Sequence, residues 1–191
     1  MTSLTIDLNS IIDVTDEQYY QLCVKNRDLR FERTARGELI IMSPAGGETS
    51  NRNAGITAQL WIWNERCKQG QVFDSSAGFK LPNQADRSPD AAWVAQDRWD
   101  ALTPEQQRKF APLCPDFVVE LMSPSDNLNA VQEKMGEYRD NGARLGWLIN
   151  RESRVVEIYR PGQKVEILSN PESLSGEDVL PGFVLDLRSI W

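Results

Sequence analysis

The sequence predicts an α/β fold: a mixed central β-sheet flanked by helices, with an N-terminal helix and β-hairpin extension. Three observations predict it. Short apolar runs bounded by turn residues, PDFVVELM, RLGWLIN and RVVEIY among them, have the length and composition of strands. Two longer segments, 48–68 and 126–141, repeat apolar residues at helical spacing. The order hairpin, helix, strands, strand, helix, strands then sets one helix before the sheet and makes another cross over in its middle.

The elements follow in order. Thr15 or Asp16 can cap a short helix through EQYYQLCVKN. LRFERTARGELIIMSP reads as two strands folded over a turn at Ala35-Arg36-Gly37, and Pro44 to Gly47 breaks the run. From Glu48, Ile56, Leu60, Trp63 and Cys67 form one stripe of a helix that Gly70 is expected to end. QVFDSSAGFKLPN reads as a hairpin turning at Ser75 to Gly78, and SPDAAWVAQ as a strand entered through Pro89. Residues 96–114 make a polar connection with a helical turn near Pro104. PDFVVELM is the strongest strand, followed by a helix capped by Ser125 or Asp126, with Leu128, Val131, Met135 and Tyr138 inward, and stopped at Asn141-Gly142. RLGWLIN and RVVEIYRPG pair through a tight connection, and EILSNPESLSGEDVLPGFVLDL adds a strand and a loop returning to an apolar edge. No linker divides the chain, so residues 1–191 read as a single domain.

Composition narrows the chemistry. With 0 histidines, Ser-His-Asp and Cys-His nucleophiles, His-ligated zinc and haem are all excluded. Cys23, Cys67 and Cys114 form no C-x-x-C pair, so neither a zinc site nor a disulfide scaffold is supported, and buried thiols in a reducing compartment are the plain reading. The N-terminus lacks a basic leader and no run reaches the roughly 20 apolar residues of a membrane span, so a soluble, cytoplasmic protein is expected. The net charge of −7 opposes long-range attraction to phosphate. KNRDLRFERTAR is locally basic, through Lys25, Arg27, Arg30, Arg33 and Arg36, and reads as a solvated strand and turn.

Acids inside apolar strands are the residues to question. Alternation along PDFVVELM puts Asp116, Val118, Glu120 and Met122 on one face and Phe117, Val119 and Leu121 on the other. Glu120 lies deep in this run, where an unpaired carboxylate is costly, so a salt bridge or a bound cation is required. Asp90 opens the strand PDAAWV. Two carboxylates at neighbouring strand ends plus a backbone carbonyl, that of Leu121, are oxygen ligands suited to magnesium. Lys134 lies roughly 80° from the centre of its helix stripe, a rim position from which its side chain reaches over the preceding strand, whereas Glu133 points away. Glu48, at the start of the first long helix, is a further candidate, although an acid there also favours the helix dipole. Two acids with a lysine suffice for metal-assisted phosphodiester hydrolysis without histidine.

At these residues the sequence resembles the Uma2 family of restriction-endonuclease-like proteins, a variant of the PD-(D/E)xK nucleases. The matching stretches are RFERTARGELIIMSPAGGETSNRN, SPDAAWV, PDFVVELMSPSD and EKMGEYRDNGARLGWLIN, which span most of residues 29–160. The resemblance implies a restriction-endonuclease-like sheet. It also implies that Asp90 is the aspartate of the PD motif, Glu120 the second metal-binding acid and Glu48 the helix glutamate that some members add. Asp116 also follows a proline, but about 13 Å of strand separates it from Glu120, so it takes a supporting or structural role. The motif's usual lysine position holds Met122, and the lysine is expected to have moved to Lys134 on the following helix.

The expectation is therefore a metal-dependent endonuclease, of DNA in the first place, with RNA not distinguished by residue types. Asp90 and Glu120, with Glu48 and the Leu121 carbonyl as further ligands, would hold Mg2+ or Mn2+. Lys134 would orient or deprotonate the attacking water, or stabilise the charged phosphate. The rival is a catalytically silent binding or assembly module whose acids are tied up by Arg52, Arg139 or Arg144. Of six tryptophans, most fall in apolar runs and read as core, with Trp99 the expected exposed exception. A homodimer is expected by analogy with enzymes that cut both strands.

Overall fold

Every strand among the described residues belongs to one of three sheets in the computed structural model, which describes residues 3–8, 11–44 and 46–191. In chain order the elements are β1 (Ser3–Ile6), α1 (Asp16–Lys25), β2 (Arg30–Arg33), β3 (Leu39–Met42), α2 (Gly47–Cys67) and β4 (Gly70–Asp74). Then come β5 (Phe79–Lys80), β6 (Asp86–Arg87), β7 (Ala91–Ala95), α3 (Gln96–Asp100), α4 (Pro104–Arg108) and β8 (Phe117–Met122). The last are α5 (Leu128–Asp140), β9 (Leu145–Asn150), β10 (Val155–Tyr159), β11 (Glu166–Ser169), β12 (Ser173–Ser175) and β13 (Val184–Asp186).

The larger sheet has 6 strands in the order β11-β10-β9-β8-β7-β4. It is mixed, as the sequence predicts: β8 and β9 pair parallel, joined by the crossover helix α5, and the other neighbours pair antiparallel. A second, antiparallel sheet of 5 strands runs β1-β3-β2-β6-β5 and contains the hairpin extension. Strands β12 and β13 form a small pair of their own.

Alternation along β8 assigns each face of the larger sheet a partner. Phe117, Val119 and Leu121 pack with Ile56 and Leu60 of α2 and with Phe183 and Leu185 from the C-terminal segment. Val118 and Met122 pack with Met135 and Tyr138 of α5. Glu120 shares this second face. Each fully buried side chain of this kind contributes about 1.5–3 kcal/mol, so Leu60→Ala, at a site 0% exposed, would cost about 2–5 kcal/mol.

Local signals behave largely as expected. Thr15 caps α1 in a reciprocal box with Gln18, Gly37 turns the β2–β3 hairpin at φ 86°, and Asn141 with Gly142 closes α5. The Pro44–Gly47 break includes Ala45, which lies outside the described residues. Leu128, expected on the inward stripe of α5, is 38% exposed, and three further expectations are corrected. The segment 71–83 is not a hairpin: β4 pairs with β7 in the larger sheet, β5 with β6 in the smaller, so the turn between them changes sheets. Lys68, in the left-handed conformation at φ 50°, caps α2 in place of Gly70. Gly70 is instead the first residue of β4, where an added Cβ would lie 2.2 Å from the Val94 carbonyl oxygen. The cap of α5 is Asn127, whose side chain accepts from the Ala130 N–H.

Trp147 and Trp93 are buried in the core, and Trp99 packs against Phe73 at 5.1 Å. The exposed tryptophan is Trp61. No helix among the described residues is long and apolar enough to cross a membrane.

Candidate active site

The β7–β8 ladder stops at the pair Ala91–Val119, with the Asp90 N–H still donating to the Val119 carbonyl at 3.0 Å. Two residues further along β8, the Leu121 N–H has no strand opposite it. The Asp90 carboxylate takes that role, accepting from Leu121 N–H at 2.9 Å through Oδ2. Through Oδ1 it accepts from the Asn53 side-chain amide of α2 at 2.7 Å. The aspartate at the strand's entry is thus gripped by one backbone donor and one helix donor. Burial raises its pKa, against the pull of these donors and of Lys134.

Glu120 projects from β8 toward α5. Its Oε1 accepts from the Tyr138 hydroxyl at 3.1 Å and lies 2.8 Å from Lys134 Nζ. Burial pushes its carboxyl up to about 7, with the neighbouring negative charges of Asp90 and Glu32 adding to the rise and Lys134 opposing it.

Lys134 occupies the rim of α5 and does reach over β8. Its ammonium sits between Glu120 and Glu32, 2.7 Å from the latter, with the Ser88 carbonyl at 3.5 Å. Burial alone would lower its pKa, but the two carboxylates more than reverse that and hold it protonated. In this state the group can donate and neutralise but cannot serve as a base.

Glu32 is the residue that sequence reasoning missed. Within the basic run it reads as a surface acid, yet it is 3% exposed. It accepts from the Ser88 N–H at 2.9 Å and from Arg87 at 3.1 Å, besides pairing with Lys134. Burial would raise its pKa, and the two cations lower it below the usual range. Arg87 in turn bonds Glu137 of α5. The one available signal is alternation: RFER sets Phe31 and Arg33 on one face and Arg30 and Glu32 on the other. Nothing in the sequence says which face is covered. The reading of 25–36 as solvated holds for Lys25 to Leu29 and fails for the buried Glu32 and Arg33.

Asp90, Glu120, Lys134, Glu32, Arg87 and Arg30 line one cavity of about 400 Å³. Leu121 lines it too, and its carbonyl leaves the strand on the same edge as the N–H that Asp90 holds. Glu48 is not brought there. It stands exposed at the start of α2, its carboxylate 2.8 Å from both Arg52 and Arg151. Asp116 is buried at the far end of β8, where it accepts from the Ala95 N–H and pairs with Arg98 at 3.0 Å, a structural arrangement. Arg139 pairs with Asp140, and Arg144 lies 3.9 Å from Asp116, so neither engages Asp90 or Glu120.

The donor set suits a hard cation of the magnesium type. Among the described residues no cluster of three or more acidic or thiol side chains is placed to hold an ion. Two carboxylates with vacant lone pairs, a nearby carbonyl, and room for water or a phosphate match the way magnesium is held, by one or two carboxylates plus substrate oxygens.

Comparison with known proteins bears on the family and the fold. The family Uma2, described as "Putative restriction endonuclease", matches residues 16–188, well over half of the chain. A crystal structure described as a "putative nuclease belonging to DUF820", from Anabaena variabilis, superposes with a TM-score of 0.70 over 84% of this chain and 88% of that one, at 17% identity. At that identity the likeness shows the fold. No curated protein matches the sequence.

Proposed function

The chain belongs to the Uma2 family, and from that premise we propose that it is a metal-dependent endonuclease that hydrolyses phosphodiester bonds of nucleic acid, DNA in the first place. One observation carries the reading: Asp90 and Glu120, far apart in sequence, share a cavity in which Lys134 Nζ touches Glu120 at 2.8 Å.

In this reading Asp90, Glu120 and the Leu121 carbonyl would hold Mg2+ or Mn2+. Such an ion, when bound, lowers the pKa of water and neutralises charge on the phosphate. The remaining work falls to the chain. Asn53 and the Leu121 N–H keep the Asp90 carboxylate in one orientation. Tyr138 and Lys134 do the same for Glu120. Lys134, kept protonated by Glu32 and Glu120, donates to the oxygens that gain charge as the phosphate is attacked. Helix α3 packs against β4 and β7 at one edge of the larger sheet, and the free thiols suit the reducing cytoplasm. A homodimer would present two such cavities to a duplex.

The silent-module reading keeps one point in its favour: Lys134 already bridges Glu120 and Glu32, so part of the acid charge is balanced within the protein. Incubation of purified protein with plasmid and oligonucleotide substrates in magnesium or manganese separates the two. Cleavage is expected in wild type, is expected to vanish in Asp90→Ala and Glu120→Ala, and is expected to fall steeply in Lys134→Ala. Equal behaviour of wild type and variants, together with no binding of either ion in a calorimetric titration, would establish the module.

A further inference from the structure

A groove runs off the cavity along α2. Asn53, Thr57, Trp61 and Ile62 form its helical side, and Arg30, Pro44, Asp74 and Ser75 line it from outside the helix. Positions 53, 57 and 61 recur every fourth residue and so lie along one helix face. The groove adjoins the cavity. Arg30 lines both, and Asn53, which lines the groove, donates to Asp90 at 2.7 Å.

Two features point to an occupant. Trp61 and Ile62 are 50% and 53% exposed, a flat apolar surface at the far end. Asn53 is only 8% exposed, yet its Oδ1 is buried with no hydrogen-bond partner among the described residues. The amide cannot be turned round to cure this, because an ionised Asp90 only accepts and must face Nδ2. That oxygen has almost no accessible surface, so it makes no contact with an occupant, and Asn53 bears on the groove only by holding Asp90 beside it. Arg30, whose charge is felt by Asp90, stands at the junction, where a phosphate would pass.

We infer that this groove is the track for a single strand of nucleic acid leaving the cleavage site, with one base stacked on Trp61. The inference rests on the nuclease reading above and specifies its substrate. From Asn53 to Trp61 the helix rises about 12 Å, no more than about four nucleotides at the stacked spacing of about 3.4 Å. The strand must be single there, because a base can present its face to an indole only after leaving its own stack.

The test is binding of a fluorescein-labelled 12-nucleotide oligothymidylate to the full chain in EDTA, read by anisotropy, with cleavage in magnesium scored separately. Wild type is expected to bind. Trp61→Ala, a surface change that leaves the fold intact by circular dichroism, is expected to weaken binding about tenfold or more, the worth of one base on an aromatic ring. Trp61→Phe is expected to restore most of it, and a duplex of the same length to bind without dependence on residue 61. No binding by wild type, or equal binding by Trp61→Ala, overturns the track. So does a change from dimer to monomer in Trp61→Ala by light scattering without loss of oligonucleotide affinity, which would make the face a contact between copies. Residue-61-dependent binding without any metal-dependent cleavage would keep the track and discard the nuclease. Cleavage that needs Asp90 while binding ignores Trp61 would do the reverse.

Discussion

Two ion-pair clusters lie back to back on the smaller sheet, and only one of them resembles a site. On one face Arg33 of β2 and Asp86 of β6 pair at 2.7 Å, with Asp16 and Lys80 completing the group. On the other face the next residues along the same strands, Glu32 and Arg87, join Lys134, Glu120 and Glu137. The first cluster holds two acids against two cations. The second, with Asp90 beside it, holds four acids against two cations, and Arg30 waits at the edge. Burial and pairing are common to both. What differs is the balance of charge: Lys134 is shared by Glu32 and Glu120 and Arg87 by Glu32 and Glu137, so two cations serve three paired acids and Asp90 beside them. A deficit of positive charge in a lined cavity, more than a count of charged residues, is what makes room for a cation.

The sharpest way to break this comparison is to remove the unbalanced charges. Asp90→Ala and Glu120→Ala should reduce magnesium-dependent cleavage to background, and Lys134→Ala should lower it about 100- to 1000-fold, measured on a labelled substrate in single turnover. The balanced cluster should respond in stability instead. Arg33→Ala strands the buried Asp86 and should cost about 3 kcal/mol in urea unfolding, near the low end for a broken buried pair because Lys80 remains close. Cleavage by the folded fraction should persist. If Arg33→Ala abolishes cleavage without destabilising the protein, the two clusters are one functional unit.

Acidity sharpens it further. Glu120 has a folded pKa near 7 against an ordinary 4.5, so between those values the folded state binds more protons than the unfolded state. Stability of the metal-free protein should therefore fall as pH rises from about 4.5 to about 7, by on the order of 1–3 kcal/mol from this group. Chemical denaturation across that range should show a flatter profile in Glu120→Gln. The smallest effect is expected at Glu48. Its pairs with Arg52 and Arg151 are solvent-facing, so Glu48→Ala should change stability by less than about 1 kcal/mol and leave cleavage unaltered. A large loss of cleavage there would bring the α2 glutamate back into the site.

These residues also show how much could be read beforehand. Glu120 was legible because an acid in an apolar strand demands a partner, and Lys134 because helical geometry put it at the rim facing that strand. Asp90 was legible as an acid at a strand's entry, but its grip on the Leu121 N–H depends on where the β7–β8 ladder stops, which is a property of the pair. Glu32 was hidden in a basic run, since alternation shows which residues share a face and not what covers that face. Gly70 misled for a similar reason: the glycine serves the approach of Val94 and Trp93 from β7, a contact that local turn rules do not contain.

By itself, then, the chain's order of residues determined what is local: the cap at Thr15, the hairpin at Gly37, the two long helices, the alternation along β8 and the absence of imidazole chemistry. These depend on periods of two and 3.6 residues and on side chains acting within a turn of their own backbone. Only the tertiary structure decided that β4 and β5 part into different sheets, that Glu32 comes to lie against Lys134, and that Glu48 stays with its arginines. Such pairings join residues scores of positions apart, and which partner wins is settled by the packing of whole elements, where burial energy outweighs any local preference.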